Sequence, residues 1–407
     1  MAIDHPSLHW LGAKEPNFEF NLSGKAALTK FNALDRDAIC TFISTLRNGI
    51  SCRISPQFTF GSTHLFIELA FIDNVFCVAR LNIWLVDGVD KRIESEVRVM
   101  NLVRGGTRIP VPKVYSWNYT SKNVFGTPFI VMQAMNGQKL ILNERVYEKF
   151  KAKILDQMAS IMIQLSTIQF QTIGDIETLN NFVESTFLEK KLRFKTSRDY
   201  YDYYIDKHLQ EFHSVSNHEK DQYISENRLC RRLVRQLERP NGPFPLTILP
   251  FGQSSKILID EFGNITSLMG WRHVGAYPWE MFAEFPQVIR ISWLYCSNYS
   301  AQKWQVKSDG QRYFVECLRK YERQLKLPGF VSSLIGSDAK IVSEGVLSVD
   351  RGFLRTRWMR ILKGIETRKK DPGYLPGSIT FEEIGKMWRD LDRMQALVLR
   401  ECPRIGI

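Results

Sequence analysis

The sequence predicts an α+β chain, with a small antiparallel sheet near its N-terminus and a mainly helical remainder. Three observations carry that prediction. Segments rich in β-branched and aromatic residues crowd positions 51–86 and 109–135, apolar residues recur at helical spacing beyond 137, and a second strand-like cluster interrupts those helices at 245–271. Composition agrees: of 407 residues, 44% are hydrophobic and 24% charged, enough for a sizeable globular core.

The elements follow in order. Residues 26–48, "AALTKFNALDRDAICTFISTLRN", place apolar side chains at helical spacing and stop at Gly49, so one leading helix is expected. "SCRISPQFTFG", "HLFIELAFID" and "VFCVARLNIWLV" read as three antiparallel strands, punctuated by Gly61 and by Asp73-Asn74. "DKRIESEVRVMNLVRGG" is the next helix, with Ile93, Val97, Met100 and Val103 on one face and Gly105-Gly106 closing it. "IPVPKVYSWN" and "GTPFIVMQAM" add two strands, the first carrying Pro110 and Pro112 where an edge strand tolerates them. Beyond Asn136-Gly137 the pattern turns helical, from "KFKAKILDQMASIMIQLSTI" onward, and the most loop-like stretch is 366–378. Two domains are expected: 1–135, an extension plus the sheet, and 136–407, helical with the 245–280 cluster inside it.

Several function classes drop out. No apolar window of about 18 residues appears, and "MAIDHPSLHWLG" lacks the basic and apolar regions of a secretory signal, so a cytoplasmic protein without membrane attachment is expected. The seven cysteines (Cys40, Cys52, Cys77, Cys230, Cys296, Cys317, Cys402) are scattered, with no paired spacing that signals a disulfide framework or a zinc site. The net charge of +12 favours anionic partners. Because "RIESEVR", "EKKLRFK" and "RRLVRQLER" mix both signs, they read as solvated helix faces and not as a nucleic-acid stripe.

The order of short motifs then carries a resemblance. Gly61-Ser62, Val78-Ala79-Arg80, "ESEV" with Glu96, "TRIPVPKVYSW", "GTPFIVMQAMNGQKL" and "QLSTIQFQTIG" resemble the fungal branch of the aminoglycoside phosphotransferase and choline-kinase-like family, over residues 55–285. The resemblance implies a bilobal protein-kinase-like fold. It also implies a Gly-rich turn at Gly61 that lets backbone approach phosphates, a basic Arg80 held by Glu96, and a hinge from Gln133 to Met135 offering backbone to adenine. Where the family commonly has Asn after the glycine, this chain reads "GSTH", with His64; read by itself, His64 is an exposed strand residue.

The catalytic loop departs further. In the family a His-x-Asp-x-x-x-x-Asn loop precedes an apolar strand, a hairpin and Asp-Trp-Glu; the first Asp serves as base, and the Asn and later Asp hold magnesium. With "KILID" laid on that strand, the His position is Leu249, the base Phe251, the Asn Lys256, the metal Asp Gly270 and the final Glu Arg272. A one- or two-residue shift rescues nothing, since Leu246–Ile259 contains no Asp, Glu, His or Asn, and Asp260 and Glu261 open a Gly-Asn hairpin. Loss of a general base typically costs about 10² to 10⁴ in rate. Ordinary phosphoryl transfer, a bound metal and a cofactor are therefore not expected.

What the resemblance leaves is a cleft with new walls: Phe251, Trp271 and Trp279 aromatic, Arg80, Lys256 and Arg272 cationic, and His273 and Glu280 nearest to move protons. Tyr200, Tyr203 and Tyr204, at helical spacing in "SRDYYDYYIDKHL", either contact a substrate in an inserted helical segment or pack. The plainer readings stand beside these: Phe251 and Trp271 fill a collapsed cavity, Lys256 points to solvent, and Glu280 caps a helix opened by Pro278. Three functions follow in order of preference. They are a metal- and ATP-independent enzyme on a small apolar metabolite (ring closure, isomerisation or elimination) in fungal-type specialised metabolism, a non-catalytic pseudokinase binding a metabolite or protein, and an unorthodox small-molecule kinase. The oligomeric state has no sequence signature.

Overall fold

The computed structural model describes residues 22–84, 90–142, 144–175, 192–210, 217–237, 241–290, 301–327, 329–347 and 353–370. In chain order, α1 (Leu22–Asn32) and α2 (Arg36–Thr45) lead into β1 (Cys52–Phe60), β2 (His64–Phe71), β3 (Phe76–Asn82), α3 (Arg92–Gly106), β4 (Val114–Asn118), β5 (Phe129–Gln133) and β6 (Gln138–Lys139). Next come α4 (Glu144–Ser166), β7 (Gln169–Phe170), β8 (Gly174–Asp175), α5 (Ser197–Gln210), α6 (Asn217–Val234), β9 (Phe244–Ile248), β10 (Ile257–Ile259), β11 (Ile265–Leu268) and β12 (Val274–Ala276). The chain continues as α7 (Trp279–Phe282), α8 (Ala301–Gln324), α9 (Phe330–Leu334), α10 (Asp338–Leu347) and α11 (Phe353–Lys369). The last helix takes in Glu366–Lys369, the start of the stretch expected to be a loop, and 371–378 lies outside the described residues. Among the described residues no helix is long and apolar enough to cross a membrane.

Two compact units form: residues 1–154 with 254–274, and 155–253 with 275–407. The sequence reading places one boundary after 135; the contacts instead return 254–274 to the N-terminal unit, because β6 pairs with β10 (Lys139 with Leu258, Gln138 with Ile259). Local sequence at 138–139 carries no strand pattern, so that pairing was not legible.

The N-terminal unit is built on a sheet of order β1-β2-β3-β5-β4, antiparallel at each pairing. Side chains alternate between its faces. Leu65, Ile67, Leu69 and Phe71 of β2, with Cys77, Ala79 and Leu81 of β3, join Ala27, Phe31, Ile39 and Ile43 of α1 and α2 in one apolar core. The residues between them, His64 on β2 and Arg80 and Asn82 on β3, project to the opposite face, where His64 is directly across from Asn82. The leading helix expected over 26–48 is two helices. The first stops at Asn32, and Asp35 caps the second, its carboxylate accepting from Ala38 N at 3.0 Å, which is the side-chain bond an N-cap needs.

In the C-terminal unit β7, β9, β12 and β8 form a four-stranded sheet in that order. Helices α5, α6, α7, α10 and α11 contact one another in this unit. Cys77, Cys230 and Cys317 are buried free thiols and Cys40 and Cys52 are partly buried, as their scatter predicts; Cys296 and Cys402 lie outside the described residues.

Candidate functional site

The charged face of the first sheet gathers five of the residues singled out above, His64, Arg80, Glu96, Lys256 and Arg272. Arg80, on β3, reaches Glu96 on α3 with two parallel hydrogen bonds, Nη1 to Oε1 at 2.6 Å and Nη2 to Oε2 at 2.7 Å. The fork geometry of a guanidinium matches a carboxylate in this way, and both groups are buried, Glu96 at 2% exposure. Burial makes the pairing obligatory, since either charge alone would be desolvated without compensation. The pair is the one the resemblance implied.

A second cluster lies beside it. Asp90, buried just ahead of α3, accepts from Asn82 Nδ2 at 2.9 Å, from Arg92 Nε at 3.1 Å and from Arg272 Nη2 at 2.7 Å. Burial works to raise its pKa, but the Asn82 amide and the Arg272 and Arg92 guanidinium groups outweigh that and hold the carboxyl below its ordinary value. Arg272 Nη1 approaches His64 Nε2 at 3.2 Å, and His64 Nδ1 lies 2.8 Å from Thr63 Oγ1. Burial, then the charges of Arg80 and Arg272, push His64 down to about 3. Its ring is therefore neutral at pH 7, accepting at Nε2 from Arg272 and donating from Nδ1 to Thr63. The sequence reading of His64 as an exposed strand residue is corrected: it is half-buried and tied to a residue 208 positions away. Asp90 was missed altogether, although an acid at the mouth of "DKRIESEV" is the kind of residue that helix starts attract.

Arg272 sits in a short 3-10 turn, Trp271–His273, that packs on α3. The turn begins at Gly270 in the left-handed region, φ +86°. A Cβ built there would meet Lys256 Cδ, Cε and Cγ, so a side chain at 270 would require the far end of the Lys256 side chain to move aside. Backbone fixes the approach, with Met269 N donating to Lys256 O at 2.7 Å. Lys256 is half-buried, burial lowers its pKa against the opposing pull of Glu96, and its ammonium has no hydrogen-bond or ion-pair partner among the described residues. Burial likewise lowers Arg272, with Asp90 opposing.

The aromatic walls expected from the sequence are core. Trp271 is 1% exposed and donates Nε1–H to Leu268 O at 2.8 Å. Phe251, in the C-terminal unit, is buried, its N–H given to Glu284 Oε2 at 3.0 Å and its carbonyl accepting from Gln287 N at 3.3 Å. Trp279 is buried edge-on to Phe282 and Phe330, its Nε1–H on Pro243 O at 2.9 Å. Tyr200, Tyr203 and Tyr204 contact one another and Phe194 within their own unit, Tyr200 buried, which is the packing reading of their spacing. Large apolar surfaces gain most by burial, and a sequence cannot distinguish a ring that lines a cavity from one that fills it.

The remaining residues separate. Gly61 is exposed at the β1–β2 turn with open space over its Cα, and Ser62 O of that turn accepts from Trp84 Nε1 at 2.8 Å. Gln133 N and Ala134 N are already spent on Lys113 O and Phe76 O, at 2.7 and 3.3 Å, and Met135 is half-buried after the strand ends. The His273 side chain lies outside the described residues. Glu280, on α7, is 2% exposed, and burial raises it to about 7 despite Lys340 and the Tyr201 hydroxyl. Tyr201 donates to Ser343 Oγ at 2.8 Å, and burial, then the Glu280 charge, hold its hydroxyl well above the ordinary tyrosine value. Glu280 does not act as a simple helix cap: it is interior, with Oε2 unpartnered.

The magnesium implied by the resemblance does not fit these residues. The two ligand positions hold an ammonium and a glycine, Glu96 and Asp90 spend their oxygens on guanidinium and amide donors, and Asp260 is turned into its own hairpin, accepting from Phe262 N, Asn264 N and Asn264 Nδ2. Among the described residues no group of three His, Cys, Asp or Glu side chains is placed to hold a metal ion.

No family model matches the chain. A stretch of 75 residues, 18% of this chain, is 29% identical to the subtelomeric hrmA-associated cluster protein of two Aspergillus fumigatus strains, and spans 14% of the length of those curated relatives. Among solved structures the chain is similar to one described as a fructosamine-3-kinase from Thermobifida fusca (TM-score 0.47, 10% identity, covering 81% of this chain and 99% of that one). It is also similar to aminoglycoside phosphotransferase APH(4)-Ia in complex with ADP and hygromycin B (0.43, 15%, 83% and 100%). A third is macrolide 2'-phosphotransferase MphH from Brachybacterium faecium (0.40, 11%, 81% and 97%).

Proposed function

We propose that this chain, a protein-kinase-like fold of the aminoglycoside phosphotransferase kind, does not transfer phosphoryl groups and instead binds a small anionic ligand on the charged face of its N-terminal unit. The observation that carries the reading is the Lys256 stem lying where a side chain at 270 would stand. Position 270 is a glycine and carries no carboxylate, its space is taken by the far end of the Lys256 side chain, and Phe251 offers no proton acceptor in place of a base. Charge supports the ligand class. Arg80, Arg92, Lys256 and Arg272 outnumber Glu96, Asp90 and the buried Glu68 of the same sheet face, and His64 is neutral, so the cluster keeps a positive excess.

The test has two arms. Phosphoryl transfer from ATP to a panel of amino-sugar, hydroxyl and amine acceptors, with magnesium or manganese, is expected to stay at the no-enzyme rate; metal-dependent transfer would sink the proposal. Calorimetric titration with anionic metabolites is expected to give saturable binding that weakens with salt. A chain that binds none of them is not an anion-binding protein.

A second reading, a metal- and nucleotide-independent enzyme on an apolar metabolite, is favoured by one observation, Glu280 held at about 7 in a buried cluster with Tyr201. That value suits general acid–base work. The burial of Phe251, Trp271 and Trp279 in packed surroundings weighs against it. The match to a fungal protein named for its cluster supports the fungal setting of this reading and no particular reaction. Turnover without ATP or metal would put it first.

A further inference from the structure

The geometry points to Lys256 as a built-in counter-cation: its ammonium stands where a divalent metal would need ligands, so the unit takes a phosphate ester or polyphosphate free of metal, and magnesium opposes that binding. The inference rests on the anion-binding reading above and specifies its ligand.

Three features of the N-terminal unit lead there. Glu96 and Asp90 have no oxygen to offer a metal, because Arg80 takes both oxygens of Glu96, and Asn82, Arg92 and Arg272 take those of Asp90. The cations act on one another and on a shared space: Arg272 feels Asp90, Arg92, Arg80 and Glu96, His64 feels Arg80, Arg272 and Asp90, and Lys256 feels Glu96. A magnesium ion entering here meets four like charges. Arg80, Arg92 and Arg272 are each already paired with a carboxylate, while Lys256 has no partner among the described residues. An ammonium with three donors, half-buried and with its stem lying over Gly270, is a point charge suited to phosphate oxygens.

Magnesium in solution removes two negative charges from a polyphosphate and presents a cation in their place. A site built around resident cations therefore prefers the uncomplexed anion. In a metal-using site the order is reversed, since there the ion bridges ligand and protein.

The experiment is calorimetric titration of the full chain with inorganic tripolyphosphate and with ATP, in EDTA and in excess magnesium. Binding is expected in EDTA, weakened at least about tenfold by magnesium. Lys256→Met keeps the stem over Gly270 and removes the charge, and is expected to weaken the EDTA titration by about tenfold to a hundredfold, the range for a hydrogen bond to a charged group. Lys256→Arg should restore most of the loss. A denaturant melt of Lys256→Met matching the parent establishes that the variant is folded; if it is not, Lys256→Arg with and without magnesium answers the same question. Tripolyphosphate binding as tightly as ATP assigns recognition to the phosphates. Binding that requires magnesium, or is indifferent to Lys256→Met, overturns this inference and leaves the anion-binding reading intact. Absence of binding by any anion, under either condition, overturns both.

Discussion

Glu96 and Glu280 are equally buried, each 2% exposed, and the protein accommodates them in opposite ways. In the N-terminal unit Glu96 faces a guanidinium that satisfies both oxygens. In the C-terminal unit Glu280 has a tyrosine, the charge of Lys340 and an unpartnered Oε2, and burial lifts it to about 7. Depth alone thus decides nothing about a buried carboxyl. What decides is whether a fixed positive charge is within bonding distance: with one, the acid becomes a structural strut, and without one it holds a proton that the solvent can remove.

Four measurements sharpen or break that contrast. The largest effect is expected for Glu96→Gln, which leaves Arg80 buried without a counter-charge; loss of one partner of a buried pair costs about 3–5 kcal/mol. Denaturant unfolding followed by a probe in the N-terminal sheet measures it, and a loss below about 1 kcal/mol would mean the pair is solvated in practice.

Glu280 should show its effect in pH. The folded carboxyl keeps its proton to about 7, whereas an unfolded one releases it near 4.5, so stability falls as pH rises through that window and the loss is complete above it. The span corresponds to about 3 kcal/mol. Glu280→Gln is expected to flatten this slope between pH 4.5 and 7 and to raise stability above pH 7. A parent protein with no slope there would show that Glu280 is ionised and has found another partner.

Gly270→Ala comes next, at about 1–3 kcal/mol for a side chain in the left-handed region. The new Cβ also drives Lys256 aside, so pairing the change with Lys256→Ala should recover the steric part while the backbone part persists. Additive losses in the double variant would mean that the two residues do not compete for space. Smallest, Asp35→Ala should cost about 1 kcal/mol through the lost cap on α2. A change at Asp35 that leaves the melt untouched would imply that α2 is held by its packing under the sheet alone.

Much of the N-terminal unit was legible because its signals are local. Strand alternation, the Asp73-Asn74 turn with Asn74 at φ 59°, and Ile93, Val97, Met100 and Val103 on the inward face of their helix need no knowledge of the rest of the chain. The split at Asp35 was missed because apolar spacing continues across it, and periodicity outvoted a single capping residue. At the candidate site, Arg80 with Glu96 and the loss of carboxylates at 251 and 270 could be read directly. The His64, Asp90 and Arg272 link could not, since it joins residues 208 positions apart through charge and has no spacing rule. Phe251, Trp271 and Trp279 illustrate a further limit: their hydrophobic character was evident, but whether a ring borders a cavity or closes it depends on packing from elements far away in sequence.

The contact between Lys256 and Gly270 also bears on how this chain can change. A side chain at 270 has to adopt a left-handed backbone and displace the far end of the Lys256 side chain. A change at 256 alone gives up a charge and leaves space over Gly270. The two positions are therefore coupled, and substitutions at them are expected to be tolerated better together than singly.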